Sequence, residues 1–472
     1  MVRPSAAAMP ETGPARRPLA PLLPYGPRPR PSSWGLPEWF VIIQVVGPAL
    51  LFLPGTQAFR VLLRVGTFGV SLLGLVLWMR RPRVTRRHPA WTWLVYGAIY
   101  MTLMLFHPGT NTVMAGLAQI GMHLAVAAPL LWAPQYFLGD YRRLARMLTI
   151  LWVLNGASAV VGILQVRDPN TWMPAEFSSV VTKGKYGISI YGYRGADGRM
   201  IIRPPGLGDS PGAACGAGMF VASMGLAYLG LPVSGLRKTL GLMVGTAGVA
   251  VIFLTHVRSS LVVVVGSAVV YTAVMVAQKR VWTAIILAGS MAVGGVGAIR
   301  YASSLGGQST VDRFASLLED DPLTVYDRSA RLGMVTHTFD TLIVDHPLGA
   351  GLGRWGMMRS YFGDENNRDS PRIWAEVQFP AWVLDGGAVL LSLYLIALLV
   401  AVLRLSRLSL RHHSTMLRQW GAVVIMLSAG PIALMFSFTP FNAQIGMQFW
   451  LLIGALEGVA QGEGGHGPGD RG

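Results

Sequence analysis

Four short stretches of the chain carry residue types that could do chemistry. The first, residues 203–218 (RPPGLGDSPGAACGAG), sets an arginine against prolines and glycines just ahead of an apolar run. Pro204, Pro205 and Pro211 oppose regular helix, which leaves backbone acceptors open to a ligand or to water. Gly206, Gly208 and Gly212 permit close backbone approach, and Asp209 or Ser210 could cap the helix that follows. Arg203 beside a helix N-terminus would make an anion site. A plain loop-to-helix junction with a snorkelling arginine fits the same residues. The second stretch, residues 255–262 (THVRSSLV), puts Arg258 in a tight hairpin between two apolar runs. There it either holds an anionic headgroup or snorkels to the interface, since a charge below the membrane surface is costly unless paired or facing a wet cavity. His256 in the same hairpin reads as a satisfied interfacial histidine.

The third stretch is DHPLGAGLGRWG, residues 345–356. Gly349, Gly351 and Gly353 mimic a nucleotide-type glycine pattern, but no strand precedes them, so a Rossmann site fails its context test. Two readings remain, a glycan- or phosphate-approaching turn and a purely structural one. The fourth is WAEVQFPAWVLDGGAVL, residues 374–390, where Glu376 stands between Trp374 and Trp382. A partly desolvated carboxylate there could act as a base, whereas a solvated loop glutamate could not. Asp385 falls deeper and could pair with an arginine. The chain has no HExxH, no Cys/His metal spacing, no Walker A and no G-x-S-x-G, and Cys215 is its one cysteine. Neither a metal nor a cofactor is expected.

These stretches must be held by membrane helices. Of 472 residues, 52% are hydrophobic and 13% charged, with a mean hydropathy of +0.47. Soluble domains carry about 25% charged residues. Apolar runs fall at 36–54, 60–79, 90–106, 112–133, 145–166, 211–231, 239–256, 260–278, 281–300, 380–403, 419–438 and 442–460. Each is about the length needed to cross ~30 Å of hydrocarbon as a helix. The expected fold is therefore an all-α polytopic membrane protein of about twelve transmembrane helices. Arg80, Arg81, Arg83, Arg86 and Arg87, then Arg142, Arg143 and Arg146, then Arg237 and Lys238, Lys279 and Arg280, and Arg404 to Arg418 all fall in alternate loops. By the positive-inside rule these loops and both termini are cytoplasmic. The net charge of +17 thus reads as orientation and contact with anionic membrane lipids, not nucleic-acid binding. Residues 1–33, Pro/Ala/Arg-rich with no cleavable signal, and the Gly-rich tail 461–472 are expected to be disordered, leaving 34–460 as the membrane domain.

Two long segments, 167–210 and 301–379, then lie on the outer face. The second holds eleven of the twenty-two carboxylates together with seven arginines, which marks a mixed polar cap instead of a charged tail. Helical spacing of Leu332, Val335, Phe339 and Leu342 predicts a helix over 329–344.

In order along the chain, these pieces resemble the O-antigen ligase / Wzy-type polysaccharide polymerase superfamily. The likeness covers roughly 36–460. HPLGAGLG (346–353) is similar to the family's His-Pro signature with alternating glycines, VRSSL (257–261) to its Ser-Arg-Ser-type turn, and AEVQFPAWVLDGG (375–387) to its re-entry motif. The resemblance implies a GT-C-like, metal-independent glycosyltransferase using an undecaprenyl-diphosphate-linked glycan, working with a chain-length regulator and export proteins in a bacterial inner membrane. It implies that Arg203 and Arg258 bind the diphosphate and that Glu376 is the base; Arg328 and Arg331 of the cap are expected to join the arginines there. Glu376 stands where the family's ligases have histidine, which favours a polymerase over a ligase. A flippase or other polysaccharide-lipid transporter is the alternative in a different class. Reporter fusions near Glu319 are expected to read non-cytosolic; a cytosolic signal would overturn the orientation and the site built on it.

Overall fold

The computed structural model describes residues 34–51, 53, 55–82, 85–173, 192–194, 200–208, 210, 212–319 and 331–464. The expected disorder of 1–33 and the role of Arg328 lie outside these residues. Helices occupy each of the predicted apolar stretches. They are α1 (Leu36–Leu50), α2 (Arg60–Arg80), α3 (Ala90–Leu103), α4 (Val113–Ala127) continued by α5 (Pro129–Tyr136), and α6 (Tyr141–Arg167). After the short α7 (Pro169–Trp172) come α8 (Ala214–Gly230), α9 (Gly235–Thr255), α10 (Arg258–Ala277) and α11 (Val281–Gly306). Past the cap follow α16 (Gln378–Arg411), α17 (Thr415–Leu434) and α18 (Gln444–Gly464).

Eight of these, counting α4 with α5 as one, are long and apolar enough to cross a membrane. α1, α3 and α8 are shorter apolar helices. α18 is long but interrupted by Gln448, Glu457 and Gln461. Thr112 caps α4 by accepting from Ala115 N, Asp140 caps α6 by accepting from Arg143 N, and Ser414 caps α17 by accepting from Leu417 N. α18 runs to Gly464, and Gln461 Nε2 donates to the Arg86 carbonyl at 2.9 Å. The tail expected to be disordered from 461 is thus helical over its first turn, held by that contact.

The bundle has two chemically different ends. The arginine-bearing loops gather at one. There Arg143 and Arg146 reach Glu38 on α1 at 2.8 Å each, and Arg404 on α16 pairs with Glu457 on α18 at 3.0 Å. Gln278 Nε2 donates to the Ser409 and Arg418 carbonyls at 3.0 Å each, tying the α10–α11 loop to the α16–α17 loop. At the other end the loop before α4 meets the cap. Asn111 Nδ2 donates to the Asp364 carbonyl and to Ser370 Oγ, and Asp364 N returns a bond to Asn111 Oδ1 at 2.7 Å.

Between 301 and 379 the described cap residues are largely helical: α12 (Gln308–Glu319), α13 (Arg331–His337), a π-helical turn (Thr338–Leu342), α14 (Ile343–Asp345) and α15 (Gly356–Phe362). The helix predicted over 329–344 is present from Arg331, and Phe339 packs on Phe379 with ring centroids 5.9 Å apart. α11 extends six residues past its predicted end, so the cap begins near Gly307. The segment 167–210 departs from the all-α reading by a small ribbon among its described residues. β1 (Gly192–Arg194) pairs antiparallel with β2 (Met200–Ile202), Gly192 opposite Ile202.

One break organises the cap. Within α16, Gly386 (φ −164°, ψ 27°) and Gly387 (φ 63°, ψ −159°) leave the helix, parting the Leu384 carbonyl from the Ala388 N–H. In apolar surroundings neither group can stay unpaired without a cost of several kcal/mol. The 345–356 loop supplies both partners: Ala350 N donates to Leu384 O at 2.8 Å, and Ala388 N donates to Pro347 O at 3.0 Å. Only a residue tolerating positive φ and lacking a Cβ serves at Gly387, because a Cβ would strike the Pro347 carbonyl. Gly387→Ala is expected to lower stability by ~1–3 kcal/mol or more. Gly121→Ala on α4, where a Cβ meets nothing within 4 Å, is expected to be neutral or stabilising. Thermal unfolding in detergent checks the pair.

Candidate functional site

At the end away from the arginine-rich loops lies a cavity of about 680 Å³. Its walls come from the 208–216 turn, the α9–α10 hairpin, α13, the start of α15 and the 434–445 connection. The charged residues among its described lining are Arg64, Arg203 and Arg331, with no Asp or Glu. α8 and α10 both begin at this wall, adding the positive ends of their dipoles. Cations of one sign against low-dielectric walls focus a field that concentrates polyanions.

Local chemistry explains how the arginines are held. α9 ends because His256 takes the left-handed conformation (φ 58°, ψ 24°), and Arg203 Nε donates to the buried Thr255 carbonyl at 3.2 Å. Gly212, at φ +72°, folds the turn over that guanidinium, where a Cβ would sit 3.2 Å from Arg203 Nη2. Arg64 Nη1 donates to Tyr361 Oη at 3.3 Å, joining α2 to α15.

A second compartment of about 270 Å³ shares Pro48, Met219, Leu434 and Ile445 with the first and runs on between α1, α6, α8, α10, α17 and α18. Val45, Phe220, Val263, Met426, Phe449 and Leu452 make it mostly apolar, with Gln44 and Asn155 among them. A charged chamber and a greasy one therefore adjoin.

Behind the cavity wall sits a fully buried carboxylate, Asp385. Trp355 Nε1 donates to its Oδ1 at 2.7 Å, and Gln119 Nε2 donates to Oδ2 at 2.8 Å. His123 Nε2 lies 3.1 Å from Oδ2, and His123 Nδ1 lies 2.8 Å from Tyr394 Oη. All of these are satisfied when His123 carries its proton on Nε2 and Tyr394 donates to Nδ1. Asn442 Nδ2 stands 3.3 Å from His123 Nε2 and its Oδ1 accepts from Gln378 Nε2 at 2.7 Å. Gln119, Trp355 and Asn442 line the cavity; Asp385 and His123 do not.

The structure sorts the sequence candidates. Arg203 and Arg331 face the cavity together. Arg258 is half-buried at the first position of α10; its neighbours Val257, Ser259 and Ser260 line the cavity, and it does not. Gly349, Gly351 and Gly353 all have positive φ and serve close packing: Cβ atoms there would meet Gly386 Cα at 2.9 Å, the Gly109 backbone and Ala115 respectively. They shape the loop that fills the α16 break.

Two expectations need correction. Glu376 is exposed and outside the cavity lining, so it is not the partly desolvated carboxylate of its segment; Asp385 is. Asp385 in turn meets neutral donors, not an arginine, because α4 and Trp355 fill the space around it. The sequence reading missed Arg64, Gln119, Trp355 and Asn442. Gln119 and His123, four residues apart in an otherwise apolar helix, were the available signal, since polar groups on one face of a span seek partners.

No family model matches this chain, and no curated protein matches it.

Two loop histidines are held neutral. Burial depresses His107, with Arg354 and His346 adding repulsion. Burial likewise pushes His256 down to about 4, helped by Arg313 and Arg203. In the unfolded chain His256 takes its proton near 6.5. Between those values the unfolded state binds more protons, so stability is fully present above about 6.5 and is lost as pH falls toward about 4. His256→Asn keeps a residue that tolerates the left-handed turn and removes the titration. Its thermal midpoint should fall less than wild type's between these pH values, and equal slopes would contradict this account.

Proposed function

We propose that this chain is a bacterial inner-membrane glycosyltransferase that polymerises undecaprenyl-diphosphate-linked oligosaccharide repeat units. One observation carries the reading: a cavity with three arginines and no carboxylate in its described lining adjoins a mostly apolar compartment between helices. A lipid diphosphate has that composition, a dianionic head on a hydrocarbon tail. Clustering of the basic loops at the opposite end supports twelve spans with both termini cytoplasmic, the positive-inside arrangement. The cavity then opens on the outer side under the cap, as in GT-C-like enzymes.

In the proposed reaction the diphosphate rests against Arg64, Arg203 and Arg331, with Arg258 and Arg328 as further sources of charge. An acceptor hydroxyl attacks the anomeric carbon as the bond from that carbon to the phosphate oxygen breaks. The electron pair leaves with the diphosphate, and direct displacement inverts the centre. Fixed guanidinium groups stabilise the growing negative charge without reorganising, the part a divalent cation plays at other diphosphate sites. The hydroxyl proton passes to a base within hydrogen-bond reach as the new C–O bond forms. Glu376 serves only for an acceptor held at the exposed start of α16.

A transporter reading has one observation in its favour, the broken helix α16 beside a buried carboxylate, a feature of ion-coupled carriers. Against it, both Asp385 oxygens are already bonded to protein donors, and Asp385 does not line the cavity.

Arg203→Ala and Arg331→Ala are each expected to cut polymer output by ~10–100-fold with the protein still in the membrane, the loss of one charge-assisted bond. Full polymer from both would end the diphosphate assignment. Near-wild-type output is expected from Glu376→Gln, while a loss of ~100-fold or more would restore Glu376 as base. Product length separates the readings: a polymerase lengthens chains, a ligase transfers them whole, and a flippase does neither.

A further inference from the structure

We propose that His412, His413 and Glu463 form a binding site for a divalent transition-metal ion of the zinc type, which clamps the α16–α17 loop to the C-terminal end of α18. The three residues lie at the arginine-rich end of the bundle and outside the cavity lining, so the proposal does not rest on the diphosphate reading.

His412 and His413 follow directly on the last residue of α16, and Glu463 stands in the last turn of α18, 49 residues beyond Ser414. That separation hides the group from any search for ligand spacing; only folding assembles it. One ligand atom from each residue, two imidazole nitrogens and a carboxylate oxygen, lies within 4.8 Å of the other two. The His412 atom on the carboxylate side is Nδ1, 3.9 Å from Glu463 Oε2. Ser414 N donates to that Nδ1 at 3.2 Å, so Nδ1 is the unprotonated nitrogen, the form that ligates. Burial and the neighbouring His413 depress the His412 imidazole below its usual range, which keeps it neutral. The two histidine rings lie with centroids 4.2 Å apart and 31° between their planes, an arrangement that a pair of protonated imidazoles would oppose.

Glu463 is held from behind. Ser414 Oγ donates to its Oε1 at 3.2 Å, the kind of support that orients a ligating carboxylate. Its Oε2 has no hydrogen-bond partner among the described residues, and the His412 nitrogen beside it has no proton to give. An unpaired carboxylate oxygen closed to water is costly, and a cation among these three ligand atoms removes that cost. Such an ion needs no water-sized space. It sits ~2.0–2.2 Å from each ligand atom, which puts the ligand atoms about 3.4 Å from one another. Closing the 3.9 Å between Nδ1 and Oε2 to that spacing is within reach of small side-chain rotations. His413 is exposed and forms the open side by which the ion enters. Arg404 acts against a cation here, but it is paired with Glu457 at 3.0 Å, which mutes the repulsion. Two imidazoles and one carboxylate suit zinc and its first-row neighbours, whereas Mg2+ and Ca2+ prefer oxygen shells.

The test uses the full chain in detergent, stripped with a chelator and titrated with ZnCl2, with MgCl2 as the contrast. Wild type should bind zinc with a dissociation constant on the order of micromolar or tighter, and its thermal midpoint should rise with zinc and not with Mg2+. His413→Ala and Glu463→Gln should each weaken zinc binding by about tenfold or more and remove the zinc-dependent rise. His337→Gln, at an exposed histidine of the cap, should change neither. Should the site variants misfold, Co2+ on wild type asks the same question: it should show the strong visible bands of a four-coordinate ion, which zinc then abolishes. Absence of zinc binding, binding that His413→Ala and Glu463→Gln leave unchanged, or a Co2+ spectrum like that of the hydrated ion overturns the site. Zinc held by these residues with no rise in the midpoint overturns the clamp.

Discussion

A helix interrupted inside an apolar medium must find new partners for the backbone groups it exposes, and this molecule is arranged around one such interruption. At Gly386 and Gly387 the hydrogen-bond ladder of α16 opens by one rung, and the 345–356 loop closes it with Ala350 N and Pro347 O. The residue before the gap, Asp385, then gathers Trp355 from the loop and Gln119 and His123 from α4. The cap is joined to the bundle by backbone pairing and by a buried ionisable group at the same place. Removing either member would leave a desolvated polar group, which is why the contact is so demanding of residue type.

The same arrangement positions the cavity. Its wall includes Gln119 and Trp355, whose N–H groups are committed to Asp385, and Asn442, whose Oδ1 is committed to Gln378. A polar wall braced in this way suits selective binding, since a group without rotational freedom cannot adapt to a wrong ligand.

Charge is partitioned along the bundle. At the arginine-rich end, buried Glu38 and Glu457 meet arginines from neighbouring helices, so part of the positive charge is matched inside the protein. At the opposite end Arg64, Arg203 and Arg331 share a lining that has no described carboxylate, while many of the cap's acidic residues, Asp364, Glu365 and Asp369 among them, are exposed to solvent. Ion pairs orient and tie helices at one end; cations gathered around a cavity at the other favour an anion. The contrast, more than the number of arginines, supports a diphosphate ligand.

Membrane class, the places of the helices and the basic face of the loops could all be read from the chain itself, because hydrocarbon thickness and backbone satisfaction act on any apolar run of sufficient length, whatever its neighbours. The glycines at 349, 351 and 353 stood out in the sequence as a pattern with no strand before it, and the structure gives each a positive φ that close packing requires. Composition could not say which arginine meets which cavity, that Arg258 would turn away from the lining its neighbours form, or that Asp385 and not Glu376 would be the buried acid. Those outcomes depend on pairing between segments more than two hundred residues apart, Gln119 with Asp385 and Asn111 with Asp364. Burial is a property of the assembled surroundings, and only packing decides which side of a wall a side chain faces.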